Sequence, residues 1–205
     1  MHNGKKVTAF LPNTGRLDRV LRLGARVVLR PAPSNRKVRF DLLIAYEGIV
    51  PVVVDSRIPN LLTREAVKNR SIPELSAHSV VRSEVKVQDS RLDFLLENGR
   101  ACYLEVKGVT TADDGVAMYP DAPTERGCRH LRLLSSLRRI GNECIVLFIA
   151  TRPDVSSFAV NKEIDPDFAK LLRKSQESGV KVLCYASRYD RNKVTLEHEL
   201  VNLET

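Results

Sequence analysis

The chain has 205 residues, 43% of them hydrophobic, with 33 Lys and Arg against 25 Asp and Glu, for a formal net charge of +8 and a pI near 9.5. This length can bury one good core, or a moderate core plus a small neighbour, without disulfide or zinc support, and the excess of basic residues attracts polyanions at low salt. Cys102, Cys128, Cys144 and Cys184 are far apart and form no C-x-x-C pair, and the longest apolar run, Cys144 to Ala150, is far too short to cross a bilayer, so a soluble cytoplasmic protein with no membrane partner is expected.

No internal repeat or low-complexity tract occurs, which argues against solenoids and disordered tails. Taken in chain order, Lys6 to Leu11, Ala25 to Arg30, Phe40 to Tyr46 and Val50 to Val54 read as short strands with turn punctuation, which suggests a small barrel or meander over residues 1–60. After Pro59, Leu61 to Asn69 has helical apolar spacing and stops before Ser71-Ile72-Pro73. Val80 to Val87, Arg91 to Glu97 and Ala101 to Val106 follow as an antiparallel meander, with Asn98-Gly99 as a hairpin turn between the last two. Thr124 to Ile140 is helical and Glu143 to Ala150 is a buried-strand run. Asp165 and Pro166 then mark a helix start, Gly179 its end, and Val180 to Ala186 the next strand. Lys193 to Leu200 is a candidate edge strand. The predicted fold class is α/β, with a small N-terminal β module followed by a mixed sheet with packed helices over residues 61–205.

Strand alternation in Ala101 to Lys107 puts Cys102, Leu104 and Val106 on one face and Tyr103, Glu105 and Lys107 on the other. In the preceding strand Leu92, Phe94 and Leu96 share a face while Asp93 projects opposite, so hairpin pairing brings Asp93 close to Glu105. Two carboxylates so placed suit a hard divalent cation with open water positions, and the lysine can stabilise negative charge on water or phosphate. The bland alternative is a solvated face with a cross-strand ion pair. Glu84-Val85-Lys86 repeats the Glu-x-Lys spacing with no acidic residue on a strand shortly before it.

Pro12-Asn13-Thr14-Gly15-Arg16, Ser83-Glu84-Val85-Lys86, Ser90-Arg91-Leu92-Asp93-Phe94, Leu104-Glu105-Val106-Lys107 and Pro120 to Gly127 with His130-Leu131 together resemble the sugar fermentation stimulation protein A family, in the right order and across nearly the whole chain. The resemblance implies an OB-like N-terminal domain and a C-terminal domain similar to PD-(D/E)xK nucleases, whose restriction-endonuclease-like sheet holds Mg²⁺ or Mn²⁺. It carries the metal and catalytic roles onto Asp93, Glu105 and Lys107, with Glu65 on the first helix, or else Glu84, as a further acidic residue. It also implies DNA binding and a link to regulation of sugar utilisation, notably of maltose. Only eleven residues precede Pro12, fewer than family members usually have, so an incomplete barrel or a shortened first strand is expected.

Nucleic acid, DNA first, is therefore the expected partner, and nucleases of this type are often homodimers. Arg129, Arg132, Ser136 and Arg139 share one face of the helix from Thr124, a basic stripe suited to tracking phosphates or simply a solvated face. Arg126 and His130 fall in the family block, with Asp121 placed to orient one of them. Asn13 and Arg16 are the phosphate-contact candidates of the first module, although a turn alone explains Asn13-Thr14-Gly15. Tyr46, Tyr103, Tyr119 and Phe40 can stack bases, but 5% aromatics make no dense platform. The rival to a nuclease is a non-catalytic DNA-binding regulator that keeps the fold. A sugar-cleaving enzyme would need carboxylates opposed across a cleft, and none can be placed that way.

Overall fold

The computed structural model describes residues 6–203, so the outermost residues of the two expected units lie outside the description. The chain opens with β1 (Ala9–Phe10), β2 (Val27–Pro31), β3 (Phe40–Glu47) and β4 (Val50–Val53). β2 lies antiparallel along one edge of β3, while β1, parallel, and β4, antiparallel, share the other. Gly48, at φ 60°, supplies the left-handed residue of the two-residue turn from β3 to β4. Among the described residues β1 is two residues long and the sheet stays open.

The helix α1 (Ile58–Asn69) starts three residues before the predicted Leu61, because Pro59 fits the first turn, where its missing N–H goes unused. Next come β5 (Ser79–Val87), β6 (Ser90–Glu97), β7 (Ala101–Val109), β8 (Thr111–Asp113), β9 (Val116–Tyr119), α2 (Glu125–Arg139) and β10 (Glu143–Ala150). The chain continues through β11 (Ser157–Val160), α3 (Pro166–Glu177), β12 (Lys181–Asp190), β13 (Lys193–Glu199) and β14 (Val201–Asn202). The caps at Asp165 and Gly179 follow the sequence reading, while Thr124, expected inside the helix, is the N-cap of α2. Thr124 accepts from Gly127 N–H, Asp165 accepts from Phe168 N–H, and Gly179 sits at φ 91°.

Six strands form the main sheet in the order β13-β12-β10-β7-β6-β5. The hairpins β5-β6 and β6-β7 are antiparallel, β7, β10 and β12 are parallel, and β13 returns antiparallel on the edge, as expected for a mixed sheet. The short strands β8, β9, β11 and β14 make a third sheet that sequence reasoning missed, since runs of two to four residues carry no readable period.

β7 and β10 run through the middle and bury both faces. Residues of α2 and α3 pack on one face, with Cys128, Leu131, Leu134, Phe168 and Leu172 against Val109, Val146 and Phe148. On the other face, Leu62, Ala66 and Val67 of α1 meet Cys102, Leu104, Val106 and Ile145, and Leu43, Ile44 and Val53 of the N-terminal sheet join this same core. The predicted alternation in β7 holds. In β6 it does not, because Phe94 and Leu96 enter the α1 core while Leu92 enters the α2 core. Glu84, facing Asp93 in the β5-β6 register, is in the left-handed region at φ 55°, and this distortion of the ladder accompanies the change of face.

The two parts are also tied by polar groups. Val53 N–H donates to Thr151 O at 2.8 Å, and the buried Arg152 bonds Glu47 at 2.8 Å and Thr110 O at 3.1 Å. Asp41 and Asp55, both buried, receive Arg30, Arg36 and Arg57 at the junction before α1. Asp55 alone accepts from the Arg57 backbone and side chain and from Arg30. Replacing Asp55 with Ala leaves these donors without their buried acceptor and is expected to cost about 2–3 kcal/mol in urea unfolding, with the midpoint falling and the slope unchanged. The Asp41 carboxyl is held below its ordinary range, first by the Arg57 hydrogen bond against the opposing effect of burial. Its contribution is therefore full at neutral pH and is lost as pH falls through its depressed folded value.

Candidate functional site at the parting of two strands

β6 and β7 are paired only from Phe94↔Leu104 to Glu97↔Ala101, whereas β7 stays paired with β10 along its whole length from Cys102 to Val109. Where β6 leaves the ladder, the next N–H on β7 needs another acceptor. The Asp93 carboxylate supplies it, taking the Val106 N–H at 2.8 Å through Oδ2. Its other oxygen accepts from Asn60 Nδ2 of α1, also at 2.8 Å. Continuing the register puts Asp93 across from Glu105, the juxtaposition predicted from the hairpin.

Glu105 is 2% exposed and faces α2. Its Oε1 receives Lys107 Nζ at 2.6 Å and makes a short contact with His130 Nδ1, while Lys107 Nζ stands 3.4 Å from the same ring nitrogen. Its Oε2 is buried with no hydrogen-bond partner. Burial works to raise the Glu105 carboxyl, but the His130 bond and the Lys107 charge outweigh it and hold the group below its ordinary range. Burial likewise opposes the Lys107 ammonium, yet Glu105 and, behind it, Tyr119 and Asp93 keep it above its usual value. Asp93 is the opposite case. Burial, joined by the Glu105 charge, pushes its carboxyl up to about 6, and the bonds from Val106 and Asn60 only partly offset this.

Asp93, Glu105 and Lys107 are thus brought together, and His130 joins them from α2. His130, a nucleic-acid-contact candidate by its place in the family block, is turned inward. At 3% exposure it lies beneath the surface against Glu105. Glu65 is exposed on α1 beside Thr195 and Leu196, away from the cluster, and the α1 residue that reaches the site is Asn60, one turn earlier. Glu84 pairs with Arg91 at 3.3 Å on an exposed edge. Asn60 was missed because an amide carries no motif signal. The only available cue was its place in the first turn of the helix preceding the hairpin.

Beside the cluster opens a cleft of about 340 Å³ between the Asn13–Gly15 loop, Gly108, Tyr119, Asp121 and Arg126. Asn13 folds the loop, accepting from Gly15 N–H and donating to Val54 O, both at 2.8 Å. A Cβ on Gly15 would lie 2.8 Å from Asp121 Oδ2, so this glycine is needed for the close approach. Asp121 accordingly serves the loop, bonding the Arg16 backbone, and not Arg126 or His130 as expected. Arg16 lines a neighbouring hollow with Asp121 and Asn161. Arg126 lines the cleft, whereas Arg129 and Arg132 border a separate groove shared with Asp165 and Asp167. Among the stacking candidates, Tyr119 packs on Phe148 and Phe168 with ring centroids at 5.4 and 5.1 Å, and Tyr46 is covered by Arg26 at 3.5 Å.

The fold and cluster define a two-domain protein in which an OB domain joins a mixed-sheet α/β domain carrying a buried Glu and His and a half-buried Asp and Lys at the opening of two strands. Residues 2–54 match the model of the SfsA N-terminal OB domain and residues 57–193 that of the sugar fermentation stimulation protein RE domain. The chain belongs to the sugar fermentation stimulation protein family, SfsA. A sugar fermentation stimulation protein homolog of Clostridium acetobutylicum is 39% identical over 196 residues, covering 94% of this chain and 85% of its own. A homolog of Clostridium botulinum strain Loch Maree is 39% identical over 199 residues, covering 96% and 86%. SfsA of Pyrococcus furiosus, solved in complex with Ca²⁺, matches with a TM-score of 0.90 at 30% identity, covering 95% of this chain and 84% of that one. Among the described residues no helix is long and apolar enough to cross a membrane.

Asp93 takes up its proton more readily folded than unfolded, so its ionised form costs stability at neutral pH, and that cost shrinks as pH falls below about 6 and is gone once pH is below the ordinary carboxylate value. In Asp93→Asn the new amide still accepts from Val106, and Asn60 can flip to complement it. Without added metal this variant is expected to be more stable than the parent by on the order of 1–3 kcal/mol at pH 8, the gain shrinking towards pH 5. Thermal unfolding across that pH range checks it, and a destabilised variant at pH 8 contradicts it.

Proposed function

We propose that this chain is a divalent-metal-dependent phosphodiesterase acting on nucleic acid, DNA first, with Mg²⁺ or Mn²⁺ as the working ion. The observation that carries the reading is the orphaned Glu105 Oε2, buried beside an Asp93 carboxyl held up to about 6. A buried acceptor without a donor costs about 1–3 kcal/mol, and two facing carboxylates add repulsion that a hard cation relieves. The residues present therefore fit such an ion, with Asp93 and Glu105 as its holders, and the Ca²⁺ bound by the Pyrococcus furiosus relative supports an oxygen-ligand site in the family. When bound, the ion would ease deprotonation of a water and offset charge on the phosphate.

The chain's own residues do the rest. Lys107 keeps a positive charge where the attacking water and a phosphate oxygen would meet. His130 and Lys107 fix Glu105 Oε1, leaving Oε2 free to turn to the ion. Asn60 and the Val106 N–H set the Asp93 rotamer. Arg126 in the cleft is placed to take an adjoining phosphate, and the net charge of +8 favours a polyanion. All four cysteines are free and buried, in keeping with a reducing cytoplasm.

Cleavage of plasmid or single-stranded DNA with Mg²⁺ or Mn²⁺ is the expected activity, falling on the order of 100-fold or more in Asp93→Ala and in Lys107→Ala. Absence of cleavage of DNA and RNA with either ion overturns it. Salt-sensitive DNA binding that survives removal of both carboxylates, with no turnover, would instead make the chain a binding regulator.

A further inference from the structure

We infer that His78, Cys102 and Glu143 form a second metal site, suited to Zn²⁺ or a similar transition ion, at the end of the main sheet away from Asp93 and Glu105. Each offers one donor atom, and the three donors lie within 4.8 Å of one another. Ligands of a tetrahedral Zn²⁺, with bonds of about 2.0–2.3 Å, stand roughly 3.5 Å apart. Closing the set around an ion therefore asks only for small side-chain torsions.

The sheet makes the convergence. Cys102 and Glu143 are register partners at the start of the parallel pair β7 and β10, so both strands enter the sheet at this point. His78 arrives from the turn ahead of β5, where its N–H donates to Leu75 O at 2.9 Å. Its ring is almost wholly buried. Nε2 lies 3.0 Å from Glu143 Oε2, and Nδ1 is buried with no partner. Nε2 and Oε2, already 3.0 Å apart beside a buried thiol, stand near the spacing of two ligands on one ion, which would take the place of their mutual hydrogen bond. Lys181 bonds Glu143 Oε1 at 2.8 Å, which leaves Oε2 for an ion, and the Glu143 side chain is 26% exposed, which gives a route in.

This site is separate from the carboxylate cluster. Cys102 and Glu105 are three residues apart on β7, about 10 Å, and point to opposite faces of the sheet. The donor chemistry differs too. Nitrogen, thiolate and one carboxylate select Zn²⁺ or Co²⁺ over Mg²⁺ and Ca²⁺. Binding replaces the thiol proton, which leaves to solvent, and ties the approach to β5, β7 and β10 into one unit.

Titration of the purified full chain with Co²⁺ should give a thiolate-to-metal charge-transfer band saturating at one equivalent, reversed by Zn²⁺, with a higher melting temperature in the Zn²⁺ form. The band should vanish in Cys102→Ser, and affinity should weaken roughly tenfold or more in His78→Ala and Glu143→Gln, at least the loss that removal of supporting partners causes. Asp93→Ala should leave band and affinity unchanged, which separates this result from the fate of the nuclease reading. No band at stoichiometric Co²⁺, or a band that persists in Cys102→Ser, overturns the proposal. If Cys102→Ser does not fold, Glu143→Gln, nearly identical in shape, decides by the same affinity measurement, and unchanged affinity there overturns it equally.

Discussion

The hydrogen bond from Val106 N–H to the Asp93 carboxylate is the constraint around which this half of the molecule is arranged. A strand that leaves its partner exposes a backbone donor in the protein interior, and that donor must be satisfied. Here a charged side chain substitutes for the departing strand. The substitution fixes a carboxylate inside the sheet opening, opposite Glu105, at a place where neither group is well solvated. Lys107 and His130 both bond Glu105, whereas at Asp93 burial, joined by the Glu105 charge, raises the proton affinity. Charge excess and fold are thus one feature: the opening that makes the site also makes it electrostatically incomplete.

The surrounding elements hold this opening in place. β10 keeps β7 straight after β6 has gone, through eight paired positions, while α1 and α2 approach from opposite faces with Asn60 and His130. Gly108 marks how close the packing is, since a Cβ there would sit 2.9 Å from Pro59 Cγ, one residue before Asn60. The first turn of α1 is therefore positioned by backbone contact with the very strand whose carboxylate partner it orients. The Asn13–Gly15 loop closes the far wall against Asp121, which makes the N-terminal sheet part of the cleft.

Much of this was legible beforehand because the informative signals were periodic or local. The alternation in Cys102 to Lys107, the Asn98-Gly99 turn and the caps at Asp165 and Gly179 each act over a few residues, and each stands where expected. The hairpin partner Asp93 already set one Glu-x-Lys apart from the other, and the family resemblance added the metal and catalytic roles. What could not be read depends on contacts between distant segments. The placing of Leu92 in the other core accompanies a left-handed backbone at Glu84 on the neighbouring strand, whose side chain gives no hint of it. The burial of His130 depends on where α2 lands on the sheet, and the choice of Asn60 over Glu65 depends on which turn of α1 faces the opening. Asp121 was assigned to its sequence neighbours, while its real partner is a loop more than a hundred residues earlier. The sheet of β8, β9, β11 and β14 is held by pairings among segments too short to announce themselves.

The guanidinium of Arg152 has a consequence for how the molecule comes apart. It is buried, and it joins the tail end of β3 at Glu47 to the carbonyl of Thr110, just beyond β7, while Leu43, Ile44 and Val53 share a core with α1. Peeling the N-terminal sheet away exposes this shared apolar surface and takes Glu47 from a buried guanidinium, which then keeps Asp154 as its carboxylate partner. The energetic boundary therefore does not fall at the chain's apparent junction near residue 57. The OB sheet and the larger sheet form one cooperative unit, in which hydrogen-exchange protection of β3 should rise and fall with that of β7 and β10.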